Sequence, residues 1–281
     1  MRTRFAPAPT GWLHLGHVLN AELVWSAARN RRADVLLRIE DHDRTRCRPE
    51  YEAAILDDLD WLGFRPDDFP TDAFRAGPCE GRQSDRDRVY RAAVDTLRAQ
   101  GVVYACDCTR REIADMRGAK GEERRAMADP VELRYAGRCR DRGLPLSDGF
   151  GWRVRMDPGI ERFVDERLGP QAQDPSTQCG DLLIRDRHGS WTYQFCVTVD
   201  DADQQIDLVI RGEDLLPSTG RQIRLARLMG RADPPAFLHH PLIMKSSSQK
   251  LSKSDGDSGV RELRARGWTP AEVRSAAKRA V

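Results

Sequence analysis

Lysine is nearly missing from this chain. Of 46 basic residues only Lys120, Lys245, Lys250, Lys253 and Lys278 are lysine, and arginine carries the rest. Long apolar runs are missing too. None reaches the length of a membrane span, and charged residues make up 32% of the sequence, so no membrane partner is expected. The opening "MRTRFAPAPTG" lacks the apolar core of a secretory leader, and a mature, cytoplasmic protein is the expectation. The seven cysteines are an odd number with no framework spacing, which points to free thiols plus one metal site rather than a disulfide scaffold. No internal repeat is evident. A net charge of +2 announces no nucleic-acid binder by itself. Between Arg211 and Arg266, however, eleven basic residues face six acidic ones, a local excess that suits phosphates.

The elements that are there follow an α/β order. Thr3 to Pro9 reads as a strand entering a proline-ended loop, and Leu15, Val18, Leu19, Leu23, Val24 and Ala27 form a helical stripe. Asp34 to Asp41 reads as a strand buried on both faces. Strand, loop, helix, strand is the unit of a parallel sheet. Helices are expected over Pro49–Phe64 and Asp85–Gly101, each closed by glycine. Periodicity weakens from Ala105 to about Ser190, which reads as an insertion of loops and short strands. Trp191–Leu215 is helix or strand, Ser218–Gly230 a capped helix, Phe237–Met244 a strand, and the last residues a helix.

Three groups of residues carry chemistry. "HLGH" sets His14 and His17 around Gly16 at the start of a helix, where free N–H groups and the positive dipole end suit an anion. Three fixed positions recur by chance at roughly 10⁻⁴ per site, so ordinary capping histidines stand beside the phosphate-binding reading. A zinc reading of this pair lacks a third ligand nearby. "KLSKS" places Lys250 and Lys253 in a small, polar loop, able to close on a triphosphate and stabilise charge on a leaving pyrophosphate. In a chain that otherwise uses arginine, two neighbouring lysines indicate a need for a compact point charge. Finally, Cys106 and Cys108 form C-x-C, and Tyr135 lies four residues before Cys139. From chemistry alone this is three thiolates with an open fourth position on Zn2+, or else unmetallated buried thiols. Cys47, Cys79, Cys179 and Cys196 have no such grouping.

The pair HLGH and KLSKS resembles the two signatures of class I aminoacyl-tRNA synthetases. "RFAPAPTGWLHLGH", "RIEDHDRTR", "RQSDR", "TYQFCVTVDD", "VIRGEDLL" and "STGRQ" narrow the resemblance to the catalytic core of glutamyl-tRNA synthetases, from Arg4 to Ser254. Only 27 residues follow Ser254, whereas a full glutamyl-tRNA synthetase continues into a long anticodon-binding region. The chain is therefore most similar to the truncated paralogues, the glutamyl-Q tRNA(Asp) synthetase family. The resemblance implies an α/β fold with a Rossmann-like catalytic domain over 1–104 and 191–254. It also implies an inserted zinc-containing subdomain over 105–190 and a short C-terminal helical stalk over 255–281.

The resemblance further implies tRNA-independent activation of L-glutamate by ATP and transfer of glutamate to queuosine of tRNA(Asp), by a monomer. It gives ATP-binding roles to His14, Gly16, His17 and Lys253, with Lys250 beside them and Mg2+ on the ATP. It gives glutamate-binding roles to Arg4, Ala6, Ala8, Glu40, Tyr193 and Arg211. Tyr135 becomes the fourth zinc ligand beside Cys106, Cys108 and Cys139. The guanidinium of Arg4 or Arg211 suits a carboxylate, and Glu40 an α-ammonium. The family usually has serine where this chain has Ala8, so an altered glutamate affinity is expected. A truncated glutamyl-tRNA synthetase charging a tRNA 3′ end, an unrelated HxGH nucleotidyltransferase and a non-catalytic zinc RNA-binding module are the rival functions.

Overall fold

The structure, a computed structural model, describes residues 1–115, 133–243 and 259–280. Strand β1 (Arg2–Phe5) leads through a proline-containing loop into helix α1 (Leu15–Arg31) and back to β2 (Asp34–Leu37), which pairs with β1 in parallel, Arg4 opposite Leu36. The expected strand–loop–helix–strand unit is present, with each strand ending four residues before the expected span does. Helices α2 (Pro49–Leu62), α3 (Thr71–Ala76) and α4 (Asp87–Ala99) follow. Gly63 ends α2 in the left-handed region at φ 79°, which an L side chain rarely adopts.

Strands β3 (Val103–Cys106), β4 (Gly151–Val154), β5 (Glu161–Asp165), β6 (Gly169–Gln173), β7 (Leu182–Arg185), β8 (Leu208–Gly212) and β9 (Ala236–His240) complete two sheets. The larger has the order β2-β1-β8-β9-β5-β6, the smaller β3-β4-β7. In the larger sheet all neighbours are parallel except β5 and β6. The chain leaves β1 for β2 on one side and later returns to set β8 on the other. That reversal opens a crevice at the carboxyl ends of β1 and β8, where open α/β sheets bind ligands.

Two expectations of domain organisation are corrected. The described residues of 105–190 do not fold as one insertion. The β5–β6 hairpin inside that span joins the large sheet beside β9, and only β3, β4 and β7 build the separate antiparallel sheet. Nor do the C-terminal residues form a stalk. Helix Pro270–Arg279 packs back on α1, helix Val260–Ala265 is tied to the loop before α1 by Val260 N–H to the Leu13 carbonyl at 2.9 Å, and Val260, Leu263, Val273 and Ala277 are buried in the main core. Glu22, buried on α1, receives Arg274 and also Lys278 at 3.1 Å, so an ion pair adds to the apolar contact. The Trp191–Leu215 stretch resolves into the helix Tyr193–Asp203 and strand β8. Ser218 precedes the helix Thr219–Leu228 without capping it, because its hydroxyl accepts from Gln194 instead. No helix among the described residues is long and apolar enough to cross a membrane.

Candidate active site

His14 is the N-cap of α1, in extended conformation at φ −129° and ψ 173°. Its Nδ1 accepts the Gly16 N–H at 3.1 Å, and Nδ1 of His17 accepts the His14 N–H at 3.1 Å. The two rings lie 3.9 Å apart. A Cβ on Gly16 would stand 2.9 Å from the His14 ring, so glycine is what lets the ring fold over the turn. The capping reading is what this geometry shows. With both Nδ1 atoms accepting, the neutral tautomer of each ring carries its proton on Nε2, a donor at a helix N-terminus. A cleft of about 300 Å³ adjoins this turn, lined by His14, Gly16, His17, Asn20, Gly212 and His240 among others.

At the crevice, Arg4 on β1, Glu40 just past β2, Tyr193 at the start of its helix and Arg211 on β8 come together, close enough that each perturbs the ionisation of Tyr193 or Arg211. Their partners differ. Arg4 donates to Asp201 Oδ1 at 3.3 Å and to the Ile210 carbonyl at 3.3 Å. Arg211 instead gives its donors to neutral acceptors: His239 Nε2 at 3.0 Å, Gln222 Oε1 at 2.8 Å, Thr219 Oγ1 at 2.9 Å and the Leu215 carbonyl at 3.4 Å. Among the described residues no carboxylate is within ion-pair distance of Arg211, although it is 97% buried (3% exposed). Burial lowers its pKa accordingly. Glu40 is the converse. Its carboxylate accepts no hydrogen bond among the described residues, its nearest cation is Arg38 at 3.8 Å, and burial pushes its pKa up to about 7 against the pull of Arg38 and Arg4. Burial likewise pushes the Tyr193 hydroxyl up to about 12, leaving it a neutral donor. Ala6 and Ala8 lie half-buried in the loop after β1, where the Ala8 carbonyl accepts Thr10 N–H at 2.8 Å.

Several residues that hold this pocket give no sequence signal of their own. Arg38 has no exposed surface and binds Asp201 at 2.7 Å and Gln204 at 2.8 Å. Asp200, equally buried, accepts from Gln83, Arg86 and Tyr90. His239 joins Asp165 at 2.7 Å. An arginine within "DVLLRIE" and two aspartates within "FCVTVDD" are charges inside apolar runs, the one available hint that they are paired in the interior.

The small sheet carries the cysteines. The Sγ atoms of Cys106, Cys108 and Cys139 all lie within 4.8 Å of one another. Cys108 and Cys139 are 3.6 Å apart, and the Tyr135 hydroxyl is 3.4 Å from Cys106 and 3.7 Å from Cys108. A tetrahedral ion about 2.3 Å from sulfur and about 2.0 Å from oxygen requires S···S edges near ~3.8 Å and S···O edges near ~3.5 Å. The one S···S and two S···O separations given above match such edges, and the remaining thiol pairs lie within 4.8 Å. Burial raises Cys106, but the Tyr135 hydroxyl and the Arg153 charge outweigh it and lower the thiol, while burial pushes Cys108 up to about 12. Arg153 stacks 3.8 Å from the Tyr135 ring. A cleft of about 640 Å³ runs from Cys106 and Cys108 past Arg187 and His42 to Tyr193, linking the cluster to the crevice. Lys250 and Lys253 lie outside the described residues.

Comparison with known proteins places this geometry. Residues 1–279 match the family model of tRNA synthetases class I (E and Q), catalytic domain. A glutamyl-Q tRNA(Asp) synthetase of Bordetella bronchiseptica is 44% identical over 90% of this chain and 75% of its own length. One from Rhodobacter capsulatus is 39% identical over 98% of both chains. Among solved structures, a glutamate tRNA ligase from Elizabethkingia meningosepticum, in complex with its amino acid, superposes with a TM-score of 0.75 at 33% identity. That match covers 92% of this chain but 52% of the ligase, so the chain spans about half its length. A Mycobacterium tuberculosis methionyl-tRNA synthetase shares the fold alone, at 14% identity and a TM-score of 0.60. The chain belongs to the class I tRNA synthetase catalytic-domain family, among the ligases of the glutamyl-Q tRNA(Asp) synthetase group.

Proposed function

We propose that this enzyme activates L-glutamate with ATP, without requiring tRNA, and transfers the glutamyl group to queuosine of tRNA(Asp). The observation that carries the first half is the complementary pair in the crevice. Among the described residues, Arg211 is a buried cation with no carboxylate in ion-pair distance, and Glu40 is a buried carboxylate that accepts no hydrogen bond, its nearest cation Arg38 at 3.8 Å. A zwitterionic amino acid with an extra carboxylate supplies what both lack. Arg211 then takes a substrate carboxylate, Glu40 the α-ammonium, and the Tyr193 hydroxyl donates to the bound amino acid. Arg4, Ala6 and Ala8 line the entry, and Arg4, already engaged by Asp201, contributes field more than contact.

Activation is a displacement at the α-phosphorus of ATP. A glutamate α-carboxylate oxygen forms the new bond, the bond to the bridging oxygen of the β-phosphate breaks, and pyrophosphate leaves with the electron pair. His14 and His17 donate from Nε2 to phosphate oxygens above Gly16, and Lys250 and Lys253 stabilise the leaving group. Mg2+ bound with ATP would offset further phosphate charge. No protein nucleophile is required, since positioning and electrostatics carry such a transfer. A queuosine hydroxyl then attacks the adenylate carbonyl and AMP leaves. The cleft from Tyr193 to the cysteine cluster offers that nucleoside its approach.

Cys106, Cys108, Tyr135 and Cys139 hold one structural Zn2+, which fixes the floor of that cleft, with Arg153 and Arg142 offsetting the anionic ligand set. The required substrates, ATP and tRNA, put the reaction in the cytoplasm, and the reading needs only one chain per site. The test is glutamate-dependent exchange of labelled pyrophosphate into ATP with no tRNA present. Exchange supports tRNA-independent activation, and strict dependence on tRNA refutes it in favour of a truncated glutamyl-tRNA synthetase.

A further inference from the structure

Arg211 is held from behind by a second pair of buried residues. Asp165, at the end of β5, and His239, on β9, are both out of solvent. Asp165 Oδ1 accepts the backbone N–H groups of Arg167 at 3.1 Å and Leu168 at 2.9 Å. Its Oδ2 accepts the His239 N–H at 3.0 Å and faces the ring Nδ1 at 2.7 Å. A carboxylate only accepts, so Nδ1 carries the ring proton. Nε2 of the neutral ring is then an acceptor, and it receives Arg211 Nε–H at 3.0 Å. Burial, and next the charge of Arg211, push His239 down to about 4, so the ring stays neutral at physiological pH.

We propose that Asp165 and His239 are positioning residues that set the Arg211 guanidinium for the substrate carboxylate, by fixing the imidazole in the one tautomer that can accept from it. The proposal rests on the reading of Arg211 as a glutamate-binding residue. An aspartate in contact with Arg211 would hold the guanidinium just as firmly but would compete with the substrate. A neutral acceptor, itself oriented by a carboxylate one residue further out, holds the cation without neutralising it. The same logic recurs on the other edge of the guanidinium. Gln222 Oε1 accepts from it while Gln222 Nε2 donates to Gln194 Oε1 at 2.8 Å, which fixes the amide's orientation. The β5–β6 hairpin thus reaches the amino-acid pocket through Asp165, which gives a physical reason for its place in the large sheet.

The isosteric Asp165→Asn variant tests the relay. With its carbonyl oxygen on the Arg167 and Leu168 N–H groups, its amide turns N–H toward Nδ1 and toward the His239 backbone N–H. The ring must move its proton to Nε2, opposite Arg211 Nε–H, and two donors face each other. The expected result is a KM for glutamate in pyrophosphate exchange raised roughly tenfold or more, the effect of a lost buried hydrogen bond to a charged group. The KM for ATP stays within about twofold. Ring ¹⁵N resonances should report the Nδ1–H tautomer of His239 in the wild type and the Nε2–H tautomer in the variant, a signature that a merely structural role would not move. His239→Gln, which can offer a carbonyl to Arg211 and an N–H to Asp165, should recover most of the glutamate affinity that His239→Leu loses. An unchanged glutamate KM in a folded Asp165→Asn whose ring carries Nε2–H, or an Nε2–H tautomer in the wild type, overturns the relay alone. If Asp165→Asn does not fold, or its amide turns to keep the Nδ1–H tautomer, the wild-type tautomer and the contrast between the two His239 variants decide. A wild type without glutamate-dependent exchange overturns the reading of the pocket, and the relay's role with it.

Discussion

Arg38 and Asp201 meet at 2.7 Å, Nη2 to Oδ1, and no surface of the guanidinium reaches solvent. Asp201 also serves Arg4 at 3.3 Å, so one carboxylate compensates two cations beneath the amino-acid pocket. Asp201→Asn leaves both without their closest counterion. Removing one partner of such a pair costs about 3–5 kcal/mol. Chemical denaturation should show that loss, and a change under about 1 kcal/mol would mean that the buried charges are compensated elsewhere.

Arg211 should behave in the opposite way. Burial makes its charge unfavourable in the absence of substrate. Arg211→Gln is therefore predicted to leave the Tm of the substrate-free protein unchanged or higher, while glutamate binding measured by calorimetry falls by roughly a hundredfold, as for a lost charged hydrogen-bond pair. A lower Tm with retained glutamate binding would make Arg211 a structural residue.

Much of this arrangement was legible in the sequence, and the misses have physical causes. The opening β1–α1–β2 unit was readable because apolar periodicity over Leu15–Ala27 and the short run at Asp34–Asp41 are local signals. The placement of Glu40 and Arg211 near the carboxyl ends of β2 and β8 was readable, because each follows an apolar run. The β5–β6 hairpin was not, since its pairing with β9 joins residues some seventy positions apart. Arg38 was not, because periodicity treats an arginine as exposed unless its partner, here Asp201, is known. The C-terminal residues were rightly read as helix, but their packing was not, because their apolar residues are few and only the fold shows them in the main core.

Glu40 sets a pH dependence. Its carboxyl is raised to about 7 without substrate, and only the ionised form attracts an α-ammonium. At pH 6 roughly one site in ten is ionised, so kcat/KM for glutamate should fall about tenfold per pH unit below neutrality. The value of kcat at saturating glutamate should fall less, because bound ammonium favours the ionised carboxyl. Glu40→Gln should flatten that acidic limb along with lowering activity. An acidic limb unchanged in Glu40→Gln would assign it to another group.

Metal removal should act on the small sheet first. The buried cluster there consists of Tyr104, Cys106, Ile113, Tyr135 and Cys139, so the thiols form much of its core. One zinc per chain is expected by elemental analysis, with Cys139→Ser losing it and lowering Tm. Tyr135→Phe should keep the metal but release it faster to a chelator, since three thiolates remain. Full zinc retention in Cys139→Ser would contradict the assigned ligand set.

The central claim is the acceptor. It is tested most directly by incubating labelled glutamate, ATP and enzyme with tRNA(Asp) whose 3′-terminal adenosine has been removed, with and without queuosine at the wobble position. Label is expected on the queuosine-containing tRNA despite its missing 3′ end, and none on tRNA without queuosine. Label that depends on an intact 3′ adenosine and ignores queuosine would contradict it.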